Sequence, residues 1–492
     1  MSAELKILQV ENPLLEFGSP GQYMDPKTGL SEAGPFDLRF GNARKKNIQV
    51  GIVGPKDMLD KARRWIGRIS SEIEPTVVQP YNKPFPGFNN IFQSEMVTDN
   101  GWSEELPTQE INAAYQQRDR YRRFQMMVDI YDRQFKKISL RNNKPDIILC
   151  CISDQIFRDF WSVTRFVTKQ ERKIIKAVEA EKRSSQLSLF GLDVEETTED
   201  LLFRDFRRAL KARAIVYQIP IQICTDNLLV DSVKNQDASI RAWNFSVATY
   251  YKSGGIPWRL KIDGPETCFV GISFNHIRTT HRHLVKSSIA QAFSNRGDGF
   301  AIKGENIPYD KNQGKSVHLT LEQAFRLGKE IVSTYREHTG VLPMRMVLHK
   351  TSSFNDEERK GFQDAFGEIP LVEFVNLLPT SFRLLRIGQY PPKRGSLCQL
   401  GHKNYFFSTG FMPELGTYPG PHIPSPAQII TSENTDIYKT CQEILGLSRM
   451  NWNTAGITSG QPVTFFFARN IGGIISELGD DMNIPTAFKY FM

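Results

Sequence analysis

Four polar residues between positions 207 and 252 are of the types that bind a phosphate group. Arg207 and Lys211 are four residues apart, so a helix would place them on one face. Gln222 follows in a strand-like segment, and Lys252 precedes the run Gly254-Gly255-Ile256-Pro257-Trp258. A phosphate needs several converging donors, and glycines let the backbone approach it closely. The spacing alone leaves two alternatives open: an anion site, or a solvated basic helix followed by a turn that its tryptophan packs.

Generic catalytic signatures fail in this sequence. Gly314-Lys315-Ser316 ends like a phosphate-binding loop, but Tyr309 stands where the first glycine of that motif is required. His276, His281 and His283 are interleaved with arginines and followed by a lysine, and cations repel a metal ion. A basic surface segment is therefore the favoured interpretation of these histidines.

Composition points to an ordinary globular protein. The chain has 492 residues and a net charge of +8, with 40% hydrophobic and 24% charged residues, which suits a few domains of ~150 residues each. The positive charge favours a polyanionic partner only as a tendency. The six cysteines show neither C-x-x-C nor disulfide-framework spacing. The start lacks a secretory pattern, and no run approaches the ~20 apolar residues of a membrane helix. A cytoplasmic protein without a membrane segment is predicted.

The elements that must position the polar residues alternate between strand and helix in the first half. Asn47–Val53 is predicted to be a buried strand and Lys56–Ile69 an amphipathic helix. Strand, turn and helix in this order open a parallel α/β unit, so a Rossmann-like layout is expected. The other predictions for this half are a loop over 80–108, a basic helix over 109–140, a strand at 146–152, a basic helix at 203–214 and a strand at 219–224.

The second half changes character. An apolar strand, Thr267–Phe274, precedes a helix at Leu321–Glu337 and a strand at Met344–His349. Several shorter strands then lead to a helix at 435–446. This order predicts a mixed sheet of α/β or α+β type, with a domain boundary near residues 253–266.

The ordered series of motifs resembles the MID and PIWI domains of prokaryotic Argonautes. The MID-like segments are the Arg207-x-x-x-Lys211 pair, Ile219–Ile223 and Tyr251–Leu260. Cys268–Ser273 is similar to the first PIWI strand. The carboxyl end of PIWI is similar to two further segments, Leu447–Gly472 and Ala487–Met492. No PAZ domain fits, so the match is closest to the short, MID–PIWI-only branch. The resemblance implies an N-terminal segment over 1–46 that packs on PIWI, a Rossmann-like MID domain over 47–258 and a ribonuclease H-like PIWI domain over 259–492.

In this family the MID domain binds the phosphorylated 5′ end of a guide strand. The resemblance gives that role to Arg207, Lys211, Gln222 and Lys252. It also implies that the carboxylate of Met492, with Gln222 nearby, holds a Mg²⁺ ion at the phosphate. The loop that would contact the first guide base consists of Ser153, Asp154, Gln155, Ile156 and Phe157.

Slicing by a ribonuclease H-like domain needs carboxylates that hold two Mg²⁺ ions. The positions that match the family's catalytic residues hold Ser273, Thr351 and Arg469. Two neutral side chains and one cation would not neutralise the ions, so the resemblance predicts no slicing. An active nuclease that uses other carboxylates remains an alternative. The carboxylates considered for it are Asp263, Asp298 and Glu305.

Short relatives act with a second protein, in which an APAZ region is fused to a TIR, sirtuin-like or nuclease effector. The resemblance therefore implies a heterodimer in bacterial defence. A 5′-phosphorylated guide RNA would direct it to complementary single-stranded DNA and so activate the effector, with a higher oligomer as a further expectation. A metabolic α/β enzyme that binds a phosphorylated small molecule is the remaining alternative.

Overall fold

A computed structural model describes most of the chain. The described residues are 4–77, 79–166, 201–232, 234–261, 264–279, 283–294, 299–302, 304, 306–308, 317–385, 391–418, 423–456, 460–478 and 485–492. Within these ranges the side chains of 100, 283–294, 306, 308 and 469 are left aside.

The first half of the chain alternates between strands and helices. Its strands are β1 (Leu5–Gln9), β2 (Leu15–Glu16), β3 (Asn47–Gly54), β4 (Glu95–Glu105), β5 (Ile147–Ile152), β6 (Ser162–Thr164), β7 (Phe203–Asp205), β8 (Ile221–Thr225) and β9 (Arg259–Leu260). Its helices are α1 (Pro26–Ala33), α2 (Lys56–Ile69), α3 (Phe88–Phe92), α4 (Thr108–Gln116), α5 (Arg120–Ser139), α6 (Asp154–Phe160), α7 (Phe206–Val216), α8 (Asp226–Leu229) and α9 (Ala238–Lys252).

The central sheet of this half is parallel, in the order β4-β3-β5-β8. Strand β5 is an apolar run in which every residue is buried, as expected when helices cover both faces of a parallel sheet. Helices α2 and α9 cover one face, and α5 and α7 cover the other. The carboxyl ends of the four strands form one edge, which is where such sheets place their binding crevices.

The second half is built on a larger, mixed sheet. Its strands are β10 (Thr267–Arg278), β11 (His283–Ser294), β12 (Gly299–Ala301), β13 (Asn306–Pro308), β14 (Arg345–Lys350), β15 (Leu371–Pro379), β16 (Ser396–Leu400), β17 (Lys403–Phe407) and β18 (Ala427–Thr431). Its helices are α10 (Leu321–Thr339), α11 (Asp356–Ala365), α12 (Ile437–Leu447) and α13 (Val463–Ile475). Short 3₁₀ turns lie at Phe36–Ala43, Pro413–Leu415 and Phe488–Tyr490.

The centre of the larger sheet has a ribonuclease H-like arrangement. Strands β10, β14 and β15 are parallel neighbours, and β11 pairs antiparallel with β10. Helices α10 and α11 pack on one face, and α13 lies against the other. The approach of α13 is so close that a Cβ atom at Gly271 would lie 2.0 Å from the backbone oxygen of Thr464.

The N-terminal segment contributes strands to the rest of the molecule. Strand β1 pairs antiparallel with β16 at the edge of the larger sheet, and β2 pairs with β9. One apolar core runs from the α2 face of the parallel sheet to the larger sheet. Its members include Trp65, Trp258 and Phe488.

Some of the predicted elements differ from the structure. The helix predicted over 109–140 is two helices, because Asp119 caps α5 by accepting a hydrogen bond from the backbone of Arg122. The loop predicted over 80–108 contains α3 and β4. Strand β4 was not predicted, because it is polar and contains a turn-like Asp-Asn-Gly sequence. An edge strand with a single partner strand can accommodate such an interruption.

Candidate anion-binding site

A cavity of about 350 Å³ lies between the carboxyl edge of the parallel sheet and the last residues of the described chain. All four residues predicted to bind a phosphate line it, together with Met492. The lining residues are Trp161, Asp205, Arg207, Arg208, Lys211, Gln222, Ile223, Lys252, Asn453, Phe467, Asn470, Ile474, Phe491 and Met492. We call this space the basic cavity.

Lys252 is the deepest cation of the basic cavity. It is the last residue of α9, and only 2% of it is exposed. Its Nζ atom donates to the side-chain oxygen of Gln222 at 2.7 Å and to the backbone oxygen of Ile221 at 3.1 Å. Both acceptors are neutral, so burial, together with the nearby Lys211, holds the pKa of Lys252 well below its usual range. An anion at this position would restore the charged form.

Helix α7 supplies two further cations from one face. Asp205 caps the helix by accepting a hydrogen bond from the Arg208 backbone at 3.0 Å. Arg207 is exposed, and its guanidinium group lies over the Phe157 and Trp161 rings at 5.6 and 5.8 Å. Lys211 is half-buried one turn later.

The charges around the cavity are unbalanced. Burial, and then the positive charge of Arg207, lower the pKa of Lys211 to about 8, while Asp205 opposes the shift. With every lysine and arginine protonated, the lining side chains would carry four positive charges and one negative charge, which leaves +3. Partly desolvated cations without counter-ions are costly, so the cavity favours an anion with several acceptor oxygens.

The glycine-rich turn after α9 has a structural role. Gly254 has a φ of 100°, and a Cβ atom at Gly255 would meet the Tyr250 ring at 2.3 Å. The buried carboxylate of Asp37 accepts hydrogen bonds from the Tyr250 hydroxyl and the backbone of Ile256, at 2.7 and 3.0 Å. The packed-turn interpretation is thus correct for Gly254–Trp258, none of which lines the basic cavity, and the turn holds the end of α9 that carries Lys252.

The segment predicted to be a loop, Ser153–Phe157, is helical. Ser153 caps α6 by accepting from the Ile156 backbone at 3.3 Å, and residues from Asp154 onward belong to the helix. None of the five residues lines the basic cavity. Phe157 approaches it through its edge-to-face contact with Trp161, at 4.7 Å between ring centroids, and through Arg207.

The lining residues suit an anion better than a bare metal ion. The side-chain oxygen of Gln222 already accepts from Lys252, and Met492 is buried among apolar neighbours. Among the described residues, no three His, Cys, Asp or Glu side chains form a group that could hold a metal. A Mg²⁺ ion here would need oxygen ligands from a bound polyanion, which would also offset its repulsion by the lysines.

Ser273 and Thr351, two of the positions predicted to correspond to the family's catalytic residues, lie side by side on neighbouring segments, Ser273 within β10 and Thr351 just after β14. Ile272 is in parallel register with Lys350, so Ser273 and Thr351, the next residue of each chain segment, are neighbours. The buried ammonium group of Lys350 pairs with the carboxylate of Glu358, which also accepts from the Leu319 backbone at 3.0 Å. This carboxylate is therefore already engaged.

Several residues proposed from the sequence fall outside the described parts. Arg469 lies in α13, but its side chain is left aside. The carboxylates considered for an active nuclease, Asp263, Asp298 and Glu305, also lie outside the described residues.

Sequence reasoning missed other residues of the basic cavity. Asp205 and Arg208 could have been found, because an aspartate directly before a basic helix is a capping signal. Trp161, Asn453 and Asn470 carried no such signal, since they reach the cavity from segments far apart in the sequence.

Comparison with protein-family models finds no match, and curated proteins give none either. Solved structures are similar over nearly the whole chain. A Clostridium butyricum Argonaute bound to a guide DNA and a 19-mer target DNA has a TM-score of 0.62 at 15% identity, over 97% of this chain and 54% of that one. The A. aeolicus Argonaute has a TM-score of 0.55 at 12% identity, over 98% and 56%. Drosophila Piwi has a TM-score of 0.55 at 12% identity, over 99% and 56%.

These likenesses show the fold. They confirm the predicted α/β class, with a Rossmann-like MID part followed by a ribonuclease H-like PIWI part. The chain spans about half the length of the solved structures that it matches. No helix in the described parts is long and apolar enough to cross a membrane.

Proposed function

We propose that this chain binds the phosphorylated 5′ end of a guide strand in the basic cavity. The observation that carries the proposal is the convergence of Arg207, Lys211, Gln222 and Lys252 on one cavity. Neither lysine has a carboxylate partner within salt-bridge distance among the described residues. A terminal phosphate carries about two negative charges and has several acceptor oxygens. It would therefore supply both the counter-charge and the hydrogen-bond acceptors that these cations lack.

The nucleic acids are proposed to be a guide RNA and a complementary single-stranded DNA target. The similar Clostridium butyricum protein was solved with a guide DNA and a target DNA, and a further similar structure is of Aa-Ago with externally bound siRNA. The choice of an RNA guide and a DNA target rests on the resemblance to the short Argonautes. The net charge of +8 agrees with a polyanionic ligand.

The PIWI part is proposed not to slice. Ser273 and Thr351 provide no carboxylate at these two adjacent positions, and Arg469 would add a positive charge. A pair of divalent cations would lack compensating charge there. A Mg²⁺ ion is instead proposed at the guide 5′ phosphate, with the guide's own oxygens among its ligands.

We propose that a partner protein carries the activity that target recognition switches on. By resemblance to the short branch, an APAZ-containing effector with a TIR, sirtuin-like or nuclease domain would form a heterodimer with this chain in the cytoplasm. Target binding would switch that effector on as part of a defence response.

The test is to purify the chain with its genomic neighbour and to sequence any bound nucleic acid, beside a Lys211→Ala/Lys252→Ala variant. Short RNAs with 5′ phosphates that are lost from the folded variant would support the proposal. A folded wild-type complex without nucleic acid would overturn it, and tight binding of a free nucleotide instead would favour the metabolic alternative. Arg213→Ala is the matched control, because Arg213 lies on the same helix but faces Asp129 at 3.9 Å.

A further inference from the structure

A second basic cavity, of about 390 Å³, opens beside the first. Three arginines line it: Arg120 and Arg123 from the first turn of α5, and Arg158 from the end of α6. We call it the arginine cavity. Residues 160–163 form a wall between the two cavities, since Trp161 lines the basic cavity whereas Phe160 and Ser162 line the arginine cavity.

Arg123 is held in a fixed orientation. Its guanidinium group lies over the Tyr115 ring at 5.0 Å and over the Phe160 ring at 4.9 Å. Two aromatic faces hold a guanidinium plane while leaving its N–H edge available. The Nε atom of Arg123 is buried and has no hydrogen-bond partner within the described parts of the chain. An unpartnered guanidinium group held in this way would gain hydrogen bonds from an acceptor that enters the cavity.

The cavity also lacks counter-charge. Its lining residues carry three positive charges and one negative charge, from Asp159, which leaves +2. Among the described residues, none of the three arginines forms a salt bridge with a carboxylate. The N-terminus of α5 is already capped by the carboxylate of Asp119, so the positive charge of the cavity comes from the arginine side chains. A bound anion would offset that charge.

We propose that the arginine cavity binds a phosphodiester group of single-stranded nucleic acid, independently of base sequence. Guanidinium groups and aromatic rings are the side chains with which proteins hold single strands. Trp161 of the proposed 5′-phosphate site stands in the chain between Phe160 and Ser162 of this cavity, so a strand anchored at that site begins next to it. The identity of the strand rests on the proposed function; the anion preference rests on the arginines alone.

The test compares two double variants of the full chain that remove the same charge. Arg120→Ala/Arg158→Ala alters the arginine cavity, whereas Arg118→Ala/Arg122→Ala removes two exposed arginines that do not line it. Fluorescence anisotropy would give Kd across a salt series for 5′-phosphorylated and 5′-hydroxyl RNA of one sequence.

We expect the cavity variant to raise Kd for both RNAs by a similar factor, about tenfold or more. The slope of log K against log salt should become shallower by roughly 0.7 for each lost phosphate contact. The ratio of Kd between the two RNAs should not change, and the control variant should show a much smaller effect. Equal losses in both double variants, or no loss in either, would overturn the proposal.

A second arm identifies the strand. The same variants, loaded with guide, are titrated with complementary DNA. A defect in guide binding places the phosphate in the guide, and a defect only in target binding places it in the target. A poly-glutamate peptide serves as a second polyanion. If the cavity variant binds this peptide more weakly than wild type but binds RNA and DNA as well as wild type, the assignment to nucleic acid would be overturned. If wild type shows no preference for a 5′ phosphate, the proposed function fails. The comparison of salt dependence between the cavity variant and the control variant would still test the role of the arginine cavity.

Discussion

The Nζ atom of Lys252 donates a hydrogen bond of 2.7 Å to the side-chain oxygen of Gln222. The two residues come from the end of α9 and from β8, and both line the basic cavity. The bond fixes the amide group and the ammonium group relative to each other before any ligand arrives. Such preorganisation lowers the entropic cost of binding an anion.

Affinity for a 5′ phosphate should fall as the pH rises through about 8. The pKa of Lys211 is lowered to about 8 in the free protein, so this lysine is increasingly neutral above that pH. Binding needs the charged form, so the affinity loss approaches about tenfold per pH unit. Isothermal titration of a 5′-phosphorylated oligonucleotide between pH 7 and pH 9.5 would measure it. Lys211→Arg should remove the dependence, because arginine stays charged throughout this range.

The stability of the ligand-free protein should show the opposite pH trend, because of the same lysine. Between pH 8 and its ordinary pKa of 10.5, Lys211 binds fewer protons in the folded than in the unfolded state. Its contribution to the free energy of unfolding therefore increases with pH across that window. Thermal unfolding of wild type and Lys211→Arg at several pH values would check it. A wild-type curve that tracks the variant would contradict the assignment.

Lys252→Met should separate stability from binding. The substitution removes a buried amine whose two acceptors are neutral and keeps a side chain of similar volume. We expect an unfolding temperature within a few degrees of wild type, because burial of an apolar side chain offsets the loss of the two hydrogen bonds. The preference for a 5′ phosphate should nevertheless be lost. A large fall in unfolding temperature with unchanged binding would show that Lys252 is structural only.

No guide-directed cleavage of a matched target is expected in Mg²⁺ or Mn²⁺. The positions expected to carry the catalytic carboxylates hold Ser273 and Thr351. The measurement is a gel assay of a labelled DNA target with a loaded guide. Metal-dependent cleavage that disappears on replacing Asp263, Asp298 or Glu305 would instead establish the active-nuclease alternative.

Two glycine substitutions should change stability in opposite directions. Gly271→Ala would place a Cβ atom 2.0 Å from the backbone oxygen of Thr464, so α13 would have to shift away from β10. A loss of about 1–3 kcal/mol or more is expected. Gly67→Ala is the matched control, because that exposed position in α2 has nothing within 4 Å of the new atom. It should stabilise the protein by about 0.5–1 kcal/mol. Thermal unfolding of both variants tests the pair.

Local patterns in the sequence predicted many elements well. The apolar run at 47–53 and the amphipathic repeat at 56–69 became β3 and α2 nearly residue for residue. These elements bury a face whose periodicity is visible in the sequence. Helix α1 was not among the predicted elements, because its region is rich in Gly, Pro and Asp, which are typical of turns. Asp25 and Pro26 in fact begin the helix as its cap and first residue.

The candidate site was only partly predictable. The spacing of Arg207 and Lys211 on one helix was visible, but their approach to Lys252 depends on how β8 and α9 pack. The arginine cavity depends on contacts between the start of α5 and the end of α6, which are some forty residues apart. The stacking of Arg123 between two rings has no signature in the order of residues.

The most direct measurement is the ratio of Kd for one RNA with a 5′ hydroxyl to Kd for the same RNA with a 5′ phosphate. It would be taken for wild type, Lys211→Ala and the control Arg213→Ala. A ratio of about ten or more in wild type and the control, falling close to one in Lys211→Ala, is predicted from the charge-assisted contacts that the phosphate gains. A wild-type ratio near one, or an equal fall in both variants, would contradict guide-end recognition by the basic cavity.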